Sequence, residues 1–170
     1  SIFVYKNYIY AVGMTHSYGP AWPNIVLLKL DLNGNIIWTK IWGGDSYEYG
    51  YDIKVYEDHI YIAGRTKSYG SGLYDIVLLK YDLDGNLIWS KTWGGDVDDF
   101  GYRMFIDISY IYITGETWSY GAGGPDMVIL KYDLDGNFIW GKTWGGGNED
   151  YGYGIYAYGK NLYVVGYTYS

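Results

Sequence analysis

The sequence predicts an all-β fold, a β-propeller of four-stranded antiparallel blades, from three observations. First, Lys80-Tyr-Asp-Leu-Asp-Gly-Asn-Leu-Ile-Trp-Ser-Lys-Thr-Trp-Gly-Gly95 has counterparts at Lys29 to Gly44 and Lys131 to Gly146, spaced 51 residues apart both times with no gap. A fixed period of this length marks an architecture of stacked units. Second, each copy carries Asn-Gly or Asp-Gly (Asn33-Gly34, Asp84-Gly85, Asp135-Gly136) between two apolar runs. That is the strongest short-range hairpin signal, read here as a two-residue turn with positive φ at both positions. Third, the run before the turn, Ile76-Val-Leu-Leu79, is apolar at every position. Continuous apolarity means a strand covered on both faces, whereas one wet face would give alternation. Short sheets covered on both faces and recurring along the chain suit blades packed around an axis.

Each unit reads as four strands. In the unit after Trp42-Gly43-Gly44 the first is Tyr51 to Tyr56, preceded by a loop containing Tyr49-Gly50. The second is His59 to Thr66, where Ile60, Tyr61 and Ile62 lead into Gly64. The third is Asp75 to Tyr81 and the fourth Leu87 to Trp93. The second strand occurs four times, at Tyr8, His59, Tyr110 and Asn161, and the third and fourth three times each. This gives fourteen strands in a single domain, with units 1–51, 52–102 and 103–153 and a half-unit 154–170, about 3.5 blades. Rings of this type close with about 4–8 blades. An open end leaves a blade face and strand edges exposed. The chain is therefore expected either to be part of a longer propeller or to associate with identical copies that complete the ring.

Composition agrees. The chain has 24 Tyr, 8 Trp and 26 Gly but only 3 Pro, a mix for short strands and tight turns. A net charge of -7 with scattered Lys and Arg argues against nucleic acid as a partner. The absence of Cys excludes disulfides and thiolate metal sites. Absence of Cys and Gln, with abundant Ile and Tyr, points towards a thermophile. No apolar segment approaches the ~20 residues of a transmembrane helix.

The motifs Tyr61-Ile-Ala-Gly-Arg-Thr66, Asp75-Ile-Val-Leu-Leu-Lys-Tyr-Asp82 and Gly85-Asn-Leu-Ile-Trp-Ser-Lys-Thr-Trp-Gly-Gly95 together resemble the β-propeller repeat of bacterial and archaeal cell-surface proteins, often called the seven-bladed type. The resemblance spans essentially the whole chain. One departure is Trp at positions 42, 93 and 144, where that repeat usually has Leu. It implies a secreted or surface-anchored propeller without a shared catalytic activity. A looser similarity to quinoprotein blades implies that Trp38, Trp89 and Trp140 dock on a neighbouring blade, and implies no cofactor.

Candidate sites follow from the strand order. In a four-stranded meander the loop after strand four lies on the same end as the loop after strand two. The first set holds Asp45 and Glu48, Asp96 and Asp99, and Glu149 and Asp150. The second holds Tyr18 and Trp22, Tyr69 and Tyr74, and Trp118 and Tyr120. Loops on a rigid scaffold are the usual binding positions. Aromatic rings with carboxylates could hold a glycan, a cation or a basic protein patch; acids also keep an aromatic-rich surface soluble. The Asp82-Leu-Asp84-Gly85-Asn86 run reads as turn chemistry, since a calcium loop needs further oxygens and a later Glu. Trp89 and Trp93, four apart in a strand, read as a blade-packing girdle, with a sugar platform as the alternative. Lys80 and Lys91 are expected to pair with Asp75 and Asp82. No nucleophile–base pair or acid–base pair of carboxylates stands out, and no catalytic or metal-ligating residue is assigned. The function expected is a non-enzymatic extracellular scaffold that binds proteins; the alternative is a carbohydrate-binding propeller.

Overall fold

A computed structural model describes residues 1–20 and 23–169. Fourteen strands and no helix are present among them. Strands β1 (Ile2–Tyr5), β2 (Tyr8–Thr15), β3 (Asn24–Asp31) and β4 (Ile36–Trp42) form the first sheet. The second is β5 (Glu48–Tyr56), β6 (His59–Thr66), β7 (Asp75–Asp82) and β8 (Leu87–Trp93). The third is β9 (Asp99–Ile106), β10 (Tyr110–Thr117), β11 (Asp126–Asp133) and β12 (Phe138–Trp144). A hairpin of β13 (Asp150–Tyr158) and β14 (Asn161–Thr168) follows. Every pairing is antiparallel and strand order follows the chain, so each four-stranded sheet is a meander. Among the described residues no helix is long and apolar enough to cross a membrane.

The turn between third and fourth strands differs from the expected two-residue form. Asp31 donates its N–H to the Asn35 carbonyl, and Gly34 N–H reaches the Asp31 carbonyl. Only the glycine has positive φ, +86° at Gly34, +77° at Gly85 and +78° at Gly136. This is a three-residue connection, a type I turn followed by a left-handed glycine. Asn33, Asp84 and Asp135 stay at negative φ, and the aspartate one step earlier organises the turn. The Asp82 carboxylate accepts the N–H groups of Asp84 (2.9 Å) and Asn86 (2.8 Å) and the Asn86 side-chain amide (2.8 Å). These bonds, Asn86 foremost, hold the Asp82 carboxyl below its usual range. The turn itself uses the oxygens that a calcium reading would need.

The first strands begin earlier than expected, at Glu48, Asp99 and Asp150. Each carries a bulge, between Gly50 and Asp52, Gly101 and Arg103, and Gly152 and Gly154. The skipped residues are Tyr51, Tyr102 and Tyr153. The opposite glycine on the second strand permits the bulge: a Cβ on Gly64 would collide with the Tyr49 carbonyl, and one on Gly115 with that of Phe100. This is the physical content of the Gly-x-Thr motif.

The sheets pack face on face. Ile53, Val55, Ile60, Ile62, Val77 and Leu79 of the second sheet meet Tyr10, Val12, Ile25 and Leu27 of the first. Its other face, Tyr61, Ala63, Ile76 and Leu78, meets Met104, Ile111, Ile113, Val128 and Leu130 of the third. Trp38 and Trp42 pack against the first core and Trp89 and Trp93 against the second, as a girdle requires. Neither Lys80 nor Lys91 forms the expected ion pair among the described residues. Instead Lys80 Nζ donates across the sheet boundary to the Leu134 carbonyl at 3.0 Å, as Lys29 does to the Leu83 carbonyl at 3.1 Å. The first strands β1, β5, β9 and β13 lie against their successors, while the fourth strands stand apart, so the sheets fan outward.

Candidate functional site

The two predicted sets of loops do meet at one end. Ser46 N–H donates to Ser68 Oγ at 2.8 Å, and Val97 N–H to Ser119 Oγ at 3.2 Å. Tyr69 donates its hydroxyl to the Gly43 carbonyl at 3.3 Å, and Tyr120 to that of Gly94 at 3.2 Å. Their rings lie 5.1 Å from Trp42 and Trp93 respectively. Tyr69 and Tyr120 thus clamp the loop of the preceding sheet. Tyr18 is more open, 68% exposed against 46% and 47% for those two. Trp22 lies outside the described residues.

The acids divide into two groups. Asp45, Asp96 and Glu149 are exposed. Glu48, Asp99 and Asp150 are fully buried first residues of strands, not loop residues open to a ligand. Glu48 accepts from the N–H groups of Gly44 and Ser68 and the Thr66 hydroxyl, each at 3.2 Å. Asp99 accepts from Gly95 N–H (2.9 Å), the Ser119 hydroxyl (2.7 Å) and the Thr117 hydroxyl. Asp150 accepts from Gly146 N–H at 2.9 Å. These carboxylates tie the Trp-Gly-Gly turn to the end of the second strand and its following loop. Burial without such donors would cost several kcal/mol, roughly.

The first glycine of each Trp-Gly-Gly makes room for this arrangement. A Cβ on Gly94 would strike Asp75 Oδ1 and lie 2.7 Å from Asp99 Oδ2. Asp75 is buried and so close to a second carboxylate that its charge is disfavoured. Burial, with Asp99 adding to it and the Ser71 N–H opposing it, pushes Asp75 up to about 6. The corresponding place beside Gly43 holds Asn24 and Glu48, a single carboxylate.

On the same end an open groove of about 520 Å³ gathers Gly44, Asp45, Ser46, Lys67, Ser68 and Tyr69. It brings two predicted residues, Asp45 and Tyr69, to one place and adds Lys67. Tyr74 is engaged elsewhere: the Arg65 guanidinium lies 4.4 Å from its ring centre, 4.3 Å from Tyr49 and 4.3 Å from Phe100. Trp118, half exposed, and Tyr102 lie beside the buried Glu116 carboxyl. Burial pushes Glu116 up to about 7, against the opposing effect of Tyr102, Trp118 and the Arg65 charge.

Sequence reasoning missed this inner layer. The bulged tyrosines form a continuous ladder, with ring centres 5.6 Å apart for Tyr51–Tyr102 and 5.5 Å for Tyr102–Tyr153. The signal was Tyr49-Gly-Tyr51, Phe100-Gly-Tyr102 and Tyr151-Gly-Tyr153: an aromatic pair straddling glycine at the same place in three units. A bulge re-aims the residue it leaves unpaired, and here it aims three rings at one another. Among the described residues no group of three or more His, Asp or Glu side chains is placed to hold a metal.

A scan against protein-family models found none that matches the chain, and a search of curated proteins found no match.

Proposed function

We propose that the chain is part of a β-propeller with a 51-residue repeat, a non-enzymatic scaffold of an extracellular or cell-surface protein that works by binding other proteins. The observation that carries this reading is the difference between covered and uncovered faces. Ile53 and Val55 are buried by the first sheet at 0% and 6% exposure. Their counterparts one period earlier, Ile2 and Val4, are 69% and 58% exposed. The first sheet thus presents a face that its neighbour keeps dry, and apolar patches of this kind mark interaction surfaces. The fan of sheets supports a radial arrangement. The buried acids support the non-catalytic reading, since Glu48 and Asp99 spend their oxygens on turns and loops. The partner of the open faces is a further run of the same sheets, in a longer chain or in a second copy.

Light scattering over a dilution series tests this. Mass at an integer multiple of 19.4 kDa supports completion by identical copies. A severed propeller aggregates or binds hydrophobic dye until blades are appended. A stable monomer that binds no dye counts against the scaffold reading.

The Asp45–Lys67–Tyr69 groove favours a second reading, a carbohydrate-binding propeller. Glycans use the hydroxyl, carboxylate and half-exposed ring found there. Signal for one sugar class on a glycan array, lost on Asp45→Ala, selects it. Silence across the array leaves the scaffold reading.

A further inference from the structure

The first strands of all four sheets border one cleft of about 560 Å³, on the side where the sheets converge. Its walls are largely apolar: Phe3 from β1, Val55 from β5, Met104 and Phe105 from β9, and Tyr153 and Tyr156 from β13. Phe105 and Tyr156 meet edge to face with centres 4.9 Å apart. The volume and lining fall in the range of small-molecule sites, about 300–1,000 Å³ with a few placed polar groups.

Three charged groups border the cleft: Asp52, Lys54 and Arg103. Asp52 and Lys54 cancel each other at 2.8 Å. Asp52 is further held by the Ser1 hydroxyl and by Met104 N–H, each at 2.9 Å, so it ties three sheets together. Arg103 has no carboxylate within ion-pair distance among the described residues. Its Nη1 donates to the Tyr102 carbonyl at 2.8 Å, which fixes the guanidinium and leaves its other donors available. The cleft therefore offers one uncompensated positive charge in a chain whose net charge is -7.

We propose that this cleft binds a small monocarboxylate with an apolar, ring-sized body. A guanidinium fork matches a planar carboxylate through two parallel hydrogen bonds. A phosphate dianion would call for a second free cation, and Lys54 is already neutralised. A sugar would need more hydroxyl partners than these walls supply. An aryl or short alkyl body packs against Phe105, Tyr153 and Tyr156 and loses nothing by leaving water. The cleft is separate from the loop-end groove, so this binding stands or falls independently of the carbohydrate reading.

Calorimetric titration with phenylacetate and its neutral isostere phenylacetamide tests the proposal. The acid binds about tenfold tighter or more, the discrimination expected of one charge-assisted pair. Arg103→Gln abolishes that ratio, and Arg103→Lys, which keeps the charge and loses the fork, retains part of it. Tyr156→Ala weakens acid and amide alike. Arg103 is exposed, so circular dichroism of Arg103→Gln should match the parent chain. Equal binding of acid and amide, a ratio that survives Arg103→Gln, or no saturable binding of phenylacetate in the millimolar range would each overturn it.

Discussion

The first and second sheets share their strand pattern and more than half of their residues, and end in opposite states. In the second, both faces are dry: Ile60 and Ile62 turn to one neighbour, Tyr61 and Ala63 to the other, all at 0–1% exposure. In the first, Tyr10 and Val12 are buried, while Ile2, Val4 and Ile36 on the other side are 58–69% exposed. A sheet of this kind does not own a core. Its apolar residues become a core only when another sheet lies against them, so stability belongs to the joint between sheets.

This contrast can be broken most forcefully at matched positions. Ile53→Ala should cost about 2–5 kcal/mol, the range for a large buried aliphatic truncated in a packed core. Ile2→Ala, one period earlier, should stay within about 0.5 kcal/mol. Urea unfolding of both variants decides. A large cost at Ile2 would mean that its face is covered in solution, which turns the pair into a probe of association.

Next in size is Gly94→Ala. A methyl there enters the space of the Asp75 and Asp99 carboxylates, and overpacking costs about 1–3 kcal/mol. Gly147→Ala, where a Cβ would meet nothing within 4 Å, is the matched control and should be near neutral. Thermal melts of the two variants measure the difference.

A smaller effect depends on pH. Asp75 has a folded pKa of about 6 against an ordinary 3.8. The folded chain therefore holds this proton more tightly than the unfolded chain, and stability from this group falls as pH rises through that window. Asp75→Asn supplies the amide that Asn24 already supplies beside Gly43. It should flatten the decline and leave the variant more stable than the parent above pH 6, read from urea midpoints at pH 5 and pH 8. Glu116, pushed up to about 7, contributes with the same sign over a slightly higher window.

The smallest expected effect is at the clamps. Tyr69→Phe removes a part-exposed hydroxyl donor to Gly43 and should cost about 0.5–1 kcal/mol. Tyr18→Phe, at a ring that is 68% exposed, should cost less. Equal losses at both would show that the hydroxyl serves something other than the sheet joint.

Much of this architecture was legible in the sequence because its signals are local. The Asp-x-x-Gly-Asn turn carries its own hydrogen bonds within five residues, and Ile76–Leu79 announces a doubly covered strand by composition alone. The starts of β5, β9 and β13 were harder. A polar residue, an aromatic pair and a glycine read as loop, and the bulge at Tyr51, Tyr102 and Tyr153 breaks the alternation that defines a strand. The fate of the acids was not legible at all. Glu48 looks like a loop carboxylate until Thr66 and Ser68, some twenty residues away, are seen donating to it. Arg65 and Glu116 were invisible for another reason: the same place in the other units holds Met14 and Tyr167, so no pattern drew attention to them.

The lysine ties from Lys29 to the Leu83 carbonyl and from Lys80 to the Leu134 carbonyl carry one more consequence. Each uses a side chain on one unit and a main-chain atom on the next, and main-chain atoms survive substitution. A gene that gained or lost one such module by unequal recombination would inherit this tie wherever the lysine is present. The lysine is then the one side chain that such a junction must keep for this tie to form.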